Sequence, residues 1–422
     1  MKNKLLILLV IFSCLSLSTH GYSASAAKNP FRTSILLPIG MNQQPIMKIA
    51  IAQNVDQINL KFNTIFTLVD IETGKLLANR LTFKDVSLKG SEKGIHINDK
   101  IFNARNVRLM SQDKLVQVRE RVYRSNLIII KDEKNKLTLI NEIPIEDYLK
   151  GVLPMEVSPR WNMEALKAQA VAARTFALFQ ALNANPESPF FLKRDVSSQV
   201  YAGKTVENFR TSEAVNLTRG QILTYRGAVF PAYFHSACGG KTTSADSVWG
   251  VWKHPSLGGV QCGFCRGTKH YTWKKEMSFQ DMKLKLAKEK IKIGAIQKVQ
   301  ILDRDRSGRV ESVNVVHSTG VKKIKGSTFR RIMGYDIFRS TLVELKSASG
   351  SLLKIVGNGW GHGVGMCQWG TKVMADKVFR YEQILRFYYP SSQVTQAYSS
   401  PKGSRISGTI SNWWTSLKGL IS

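Results

Sequence analysis

The stretch Asn162-Met163-Glu164-Ala165-Leu166-Lys167-Ala168-Gln169-Ala170-Val171-Ala172-Ala173-Arg174-Thr175-Phe176-Ala177-Leu178 decides the fold class. It is rich in strong helix formers, free of Gly and Pro, and opened by a capping-type Asn, so it predicts a long helix whose Ala-rich face admits close neighbours. Upstream the period is different. Runs such as Ile49-Ala50-Ile51-Ala52 and Ile58-Asn59-Leu60-Lys61-Phe62, broken by Gly74 and Gly90, predict a β-rich part over 46–140. It leads out through a hairpin pairing Leu127-Ile128-Ile129-Ile130 with Leu137-Thr138-Leu139-Ile140. Between the two patterns, Pro144 to Leu149 opens a short helix that Pro154 is expected to close. Downstream, strand-like runs (220–225, 229–234, and two within 299–316 around Ser307-Gly308) alternate with an amphipathic helix over 278–290. Helices set among antiparallel-looking strands argue for an α+β fold, with a catalytic part over 141–390 and a loosely packed tail over 391–422.

Charge narrows the function. The 422 residues carry 61 Lys+Arg against 30 Asp+Glu, a net +31, which favours polyanionic partners. Lys2 and Lys4 precede an apolar run from Leu5 to Leu17, and Ala24-Ser25-Ala26 offers a cleavage site. Residues 1–26 therefore read as a signal peptide, with lipidation at Cys14 the alternative. Later apolar stretches are too short for a transmembrane anchor. An exported, periplasmic or wall-associated protein makes nucleic acid an unsuitable partner and an acidic polysaccharide a suitable one.

Three blocks hold the chemistry. In the first, Glu156 sits in a turn bracketed by Pro154 and Pro159, where a partly desolvated carboxyl gains a raised pKa and serves as a general acid. Lys167 and Arg174, seven apart on the helix that follows, project from one face and are candidates for an anionic or polyhydroxyl ligand. The second block contains His235, Ser236 and Cys238, followed by Cys262-Gly263-Phe264-Cys265 and His270. Three Cys and a nearby His suit a tetrahedral structural zinc, with His270 or His235 as fourth ligand, while export makes a disulfide the competing reading. The third block, Gly357 to Gly370, is a Gly-rich loop in which His362 and Gln368 are available to hydrogen-bond a ligand; it lacks a phosphate-loop fingerprint.

Taken together, the order of these blocks resembles the stage II sporulation protein D (SpoIID) family, which shares its domain with the amidase-enhancer proteins of bacterial cell walls. The resemblance covers roughly 46–390. It is carried by Ile143-Pro144-Ile145-Glu146-Asp147-Tyr148-Leu149 with Gly151-Val152-Leu153-Pro154-Met155-Glu156, by Glu164 to Thr175, by Gln199-Val200-Tyr201-Ala202-Gly203, by the His235 to Thr242 block, and by Gly361-His362-Gly363-Val364-Gly365-Met366-Cys367-Gln368.

What the resemblance implies is a lytic transglycosylase of peptidoglycan, with Glu156 as catalytic acid and no cofactor required. A preference for glycan stripped of its stem peptides, also implied, would expose lactyl carboxylates for Lys167 and Arg174 to meet. Tyr201, His235 and His362 match residues lining the family's cleft. Two departures stand out: Asp195-Val196-Ser197-Ser198 replaces the Cys/His metal ligands of some relatives, and Cys367 stands where serine is common. Two other readings belong to different classes. One is a non-catalytic wall-binding enhancer of a partner amidase. The other is a zinc peptidase on the Cys/His cluster, which three Cys ligands disfavour because they suit a closed site.

Overall fold

The computed structural model describes residues 35–36, 43–194, 199–250, 253–347 and 351–399. The signal peptide, Cys14, the 195–198 segment and the tail beyond 399 lie outside the described residues. As expected, strands dominate the first third, and helices and strands mix thereafter, giving an α+β architecture.

The N-terminal part contains two sheets. The larger runs, in spatial order, through 192–193, Ile46–Val55, Leu137–Pro144, Asn126–Lys131, Asn106–Ser111, Phe66–Asp70 and Leu76–Leu81. The smaller holds six strands between residues 57 and 124. Strict alternation, as in Gln57–Lys61 and Asn106–Ser111, turns every second side chain into a shared core that includes Ile49, Leu60, Leu88, Ile95, Leu109 and Leu139. The predicted hairpin is present, with Ile128 opposite Ile140 and Ile129 opposite Leu139.

Leu137–Pro144 then delivers the chain into three helices: α1 (Ile145–Lys150), α2 (Leu153–Glu156) and α3 (Met163–Leu182). Gly151, not Pro154, ends α1. Pro154 instead lies in the first turn of α2, where its missing N–H costs no helical hydrogen bond. The side chain of Asn162 caps α3 by accepting the Glu164 N–H at 2.9 Å.

Helix α3 is buried on almost every side, as a helix apolar all round must be. Ala170, Ala173 and Ala177 face the N-terminal core, whereas Ala165, Ala168 and Ala172 face a second core. That second core is built with α8 (Gln368–Asp376) and α9 (Tyr381–Tyr388), which come last of the helices after α4 (Phe209–Leu217), α5 (Ala245–Trp249), α6 (Phe279–Lys288) and α7 (Gly326–Met333). Between α5 and α8, two three-stranded sheets pack with α6 and α7 around a third core of their own that includes Trp273, Met282, Val313, Phe329 and Leu353.

Residues 391–399, expected to belong to the tail, pack against the fold instead. Gln393–Gln396 forms a strand against Gln221–Thr224, and Ala397 and Tyr398 are buried. The apolar Val394, Ala397 and Tyr398 had been outweighed in the sequence by the Ser and Gln around them.

Candidate active site

Helix α2 presents Glu156 where three parts of the chain meet: α3, the 199–201 segment, and the start of α8. The carboxyl is half-buried and accepts the Val200 N–H at 3.2 Å. Burial raises its pKa, and the Val200 N–H and the Gln368 amide only partly offset that rise. Among the described residues no Lys or Arg offsets the rise. A carboxyl poised in this way holds its proton at a pH where an ordinary glutamate has lost it.

Gln368 is the first residue of α8 and is buried, its amide 3.5 Å from the Gln169 side-chain oxygen. Behind these, the Tyr148 hydroxyl donates to Gln199 Oε1 at 3.0 Å, and Gln199 Nε2 donates to the Ala173 carbonyl. Two buried nitrogens of this neighbourhood, Gln169 Nε2 and His235 Nε2, have no hydrogen-bond partner among the described residues.

His235 reaches Gln368 through a short parallel bridge in which Phe234–His235 pairs with Met366–Cys367. Its Nδ1 lies 3.0 Å from the Val364 carbonyl. Burial, then the charges of His362 and Arg309, hold its pKa well below the imidazole norm. Burial, followed by the charge of Arg330, likewise takes His362 down to about 3, and its Nδ1 accepts the Val364 N–H at 3.0 Å. Both are neutral imidazoles at neutral pH. The Gly-rich loop makes this possible: Gly361 has φ +120°, and a Cβ there would stand 2.6 Å from the Cβ of His235.

Other expected ligand-binding residues are placed differently. Arg174 has no exposed surface. Its guanidinium grips both oxygens of Glu146, at 3.0 and 2.8 Å, and donates to the Val215 and Gln221 carbonyls. It is a core residue and meets no ligand. Lys167, on the same helical face, is half-buried, paired to Glu164 at 2.7 Å, and 5.6 Å from the Tyr381 ring. Tyr201 is buried, donates to Asn141 Oδ1 at 2.7 Å and packs on Tyr148, so it supports the cleft from behind without lining it. Ser236 is half-buried, and its carbonyl accepts the Trp369 N–H at 3.0 Å.

Sequence reasoning missed an aromatic row. Trp161 packs edge-on to Trp369 at 5.5 Å, Trp369 lies 5.7 Å from His270, and His270 lies 4.8 Å from Trp360. All four rings are half-buried, and the row starts five residues beyond Glu156. The signal available was the closeness of Trp161 and Trp369 to Glu156 and Gln368 in the sequence.

His270 is thereby removed from the cysteine cluster. The fourth member of that cluster is Cys367: the sulfurs of Cys238, Cys262, Cys265 and Cys367 all lie within 4.8 Å of one another, every one buried. The four cysteines carry no disulfide in the structure.

Comparison with known proteins places the chain in a family. The SpoIID family profile, described as stage II sporulation protein, matches residues 133–225, which hold α1 to α4 and Glu156. A second profile, a domain of unknown function, matches 261–365, the region of the third core. An uncharacterized protein of Brachyspira hyodysenteriae is 35% identical over 78% of this chain and 84% of its own length. The stage II sporulation protein D of Bacillus amyloliquefaciens is 30% identical over 62% of this chain and 76% of its own. The amidase enhancer of Bacillus subtilis is 30% identical over 58% of this chain and 40% of its own, so the match spans less than half of that longer protein. Among the described residues no helix is long and apolar enough to cross a membrane. With its three blocks drawn around α2 and α3 and its relatives aligned along most of its length, the chain belongs to the stage II sporulation protein D family.

Proposed function

We propose that the protein is an exported lytic transglycosylase that cuts the glycan strand of peptidoglycan, with Glu156 as general acid and then general base. The observation that carries this reading is the Glu156 carboxyl itself, half-buried, raised in pKa, and held by one backbone N–H and one amide with no neutralising cation in contact among the described residues.

The protonated carboxyl gives its proton to the glycosidic oxygen as the bond from that oxygen to C1 of the muramic acid breaks. The resulting carboxylate then takes the proton of the same sugar's C6 hydroxyl, whose oxygen bonds to C1 and closes an anhydro ring. One carboxyl serves both halves, so the paired-carboxylate spacing of hydrolytic glycosidases is not needed. The neutral His235 and His362, Gln169 and Gln368 offer hydrogen bonds to sugar hydroxyl and amide groups, and the row from Trp161 to Trp360 offers ring faces and edges to the pyranose chain. With Arg174 sequestered, recognition of lactyl carboxylates falls to the surface charge of this strongly basic chain.

Incubation of purified protein with peptide-stripped peptidoglycan tests the reading, with mass spectrometry of the soluble products. Anhydro-muramic ends from the wild type and none from Glu156→Gln are expected. Reducing ends would mean hydrolysis, and intact strands together with stimulation of a wall amidase would favour the enhancer role for which the Bacillus subtilis relative is named.

A further inference from the structure

The four cysteines are drawn together from three distant places. Cys238 follows the His235 strand, Cys262 and Cys265 stand at the entry to the 261–365 region, and Cys367 stands just past its exit. Four sulfurs around a tetrahedral zinc, each about 2.3 Å from the metal, lie roughly 3.8 Å apart. Here Cys238 and Cys265 are 3.3 Å apart, and no pair exceeds 4.8 Å.

The surroundings suit thiolates. Cys367 Sγ accepts the N–H groups of Cys238 and Gly370 at 3.2 and 3.3 Å, and Cys238 Sγ accepts that of Gly240 at 3.4 Å. The Tyr388 hydroxyl is 3.2 Å from Cys262 Sγ. Such donors around ligating sulfurs are the usual outer shell of a metal site.

Arg309 supplies a separate clue. It is 1% exposed, and its guanidinium donates to the carbonyls of Lys241 and Cys238 and to Ser307 Oγ, while its Nε has no partner. Asp305 takes the backbone N–H of Arg309, and its charge acts on the guanidinium without a direct hydrogen bond, through the Ser307 hydroxyl between them. A buried cation without a hydrogen-bonded carboxylate is costly unless another negative charge faces it. Four thiolates around a divalent ion carry a net charge of −2, beside the carbonyl that Arg309 holds.

We propose that Cys238, Cys262, Cys265 and Cys367 bind one zinc ion that fastens both ends of the 261–365 region to the cleft. Four thiolate ligands leave no open position, so the ion is structural. Its effect on the cleft is spacing: Cys238 lies three residues beyond His235, and Cys367 immediately precedes Gln368. The inference does not depend on the transglycosylase reading.

Elemental analysis of the full chain, purified without chelator, should find about one zinc per molecule, and cobalt exchange should give the visible spectrum of a tetrahedral tetrathiolate. Cys367→Ser should lose most of the metal, whereas His270→Ala should keep it. Should Cys367→Ser fail to fold, titrating Cys14→Ser protein, otherwise wild type, with an organomercurial gives the count directly, with zinc release complete only near four thiol equivalents. Metal-free protein overturns the proposal, whether its cysteines are oxidised to disulfides or remain free. So does zinc retained in full by Cys367→Ser and lost by His270→Ala.

Discussion

Glu146 and Glu156 stand ten residues apart on consecutive short helices, and their surroundings are opposite in kind. Burial would raise the pKa of Glu146, but the charge of Arg174 and hydrogen bonds from Arg174, Tyr398 and the Gly220 N–H outweigh it and hold the carboxyl below the usual range. Glu156 meets a comparable desolvation with a single N–H and an amide, and its pKa rises. One site is saturated with donors and the other is deliberately short of them. The difference teaches that burial alone does not set a carboxyl's state: one neutralised on all sides stays charged and anchors structure, while one left short of donors keeps its proton, as the proposed acid-base role needs.

The largest effect should come from the unsaturated side. Glu156→Gln removes the exchangeable proton and should lower glycan cleavage about 100- to 10,000-fold. Because the wild-type carboxylate is held where its charge is disfavoured, the same change should leave the melting temperature unchanged or higher at neutral pH. A clear loss of stability would place Glu156 with Glu146 among structural carboxyls. Under the proposed mechanism cleavage uses the protonated acid, so its rate should fall as pH rises through the elevated Glu156 pKa, a limb lying above that of an ordinary glutamate.

On the saturated side, Arg174→Met should cost about 3–5 kcal/mol in denaturant unfolding, since it strands a buried charge. Adding Glu146→Gln should recover part of that loss; no recovery would falsify the view that the unpaired carboxylate is the cause. The pH response runs the other way from that of Glu156. A depressed folded pKa contributes stability above the unfolded value, and that stability is lost as pH falls through the folded one. Thermal melts in acid should show it.

Tyr398→Phe removes one hydrogen bond to the same carboxylate, for a smaller cost of about 1.5–3 kcal/mol by the same measurement. Lys167→Ala should be smallest, below about 1 kcal/mol, because its pair with Glu164 is partly exposed. A drop as large as that of Arg174→Met would contradict the burial difference between the two cations.

That pair of cations also shows what the sequence could convey. Seven residues return nearly to the same side of a helix, so their shared face was legible, but they also advance about 10 Å along its axis. Over that distance α3 passes from a half-exposed end to full enclosure by α1, α4 and the sheets. Periodicity reports direction and is silent on depth. Helix α3, its Asn162 cap and the hairpin pairing 127–130 with 137–140 were legible because each depends on neighbouring residues; Glu156, expected in a turn bracketed by Pro154 and Pro159, instead ends α2, because Pro154 is tolerated in the first turn of a helix. Cys367 as fourth sulfur was not, since its place beside Cys262 and Cys265 arises only when the whole 261–365 region folds between them. Trp360 and Trp369 join His270 for the same reason.

The contact of Tyr398 with Glu146 joins residues 252 positions apart. Synthesis is vectorial, so the order in which segments arrive is fixed by the chain. The helix pair carrying Glu146 and Glu156 emerges early, yet the hydroxyl that completes the Glu146 pocket comes after every other described helix has passed. Until then the carboxyl lacks one of its donors and the strand at Gln221–Thr224 lacks its outer neighbour. Closure of the Glu146 pocket thus waits for the last described strand, and removing 393–398 would leave that carboxylate one donor short.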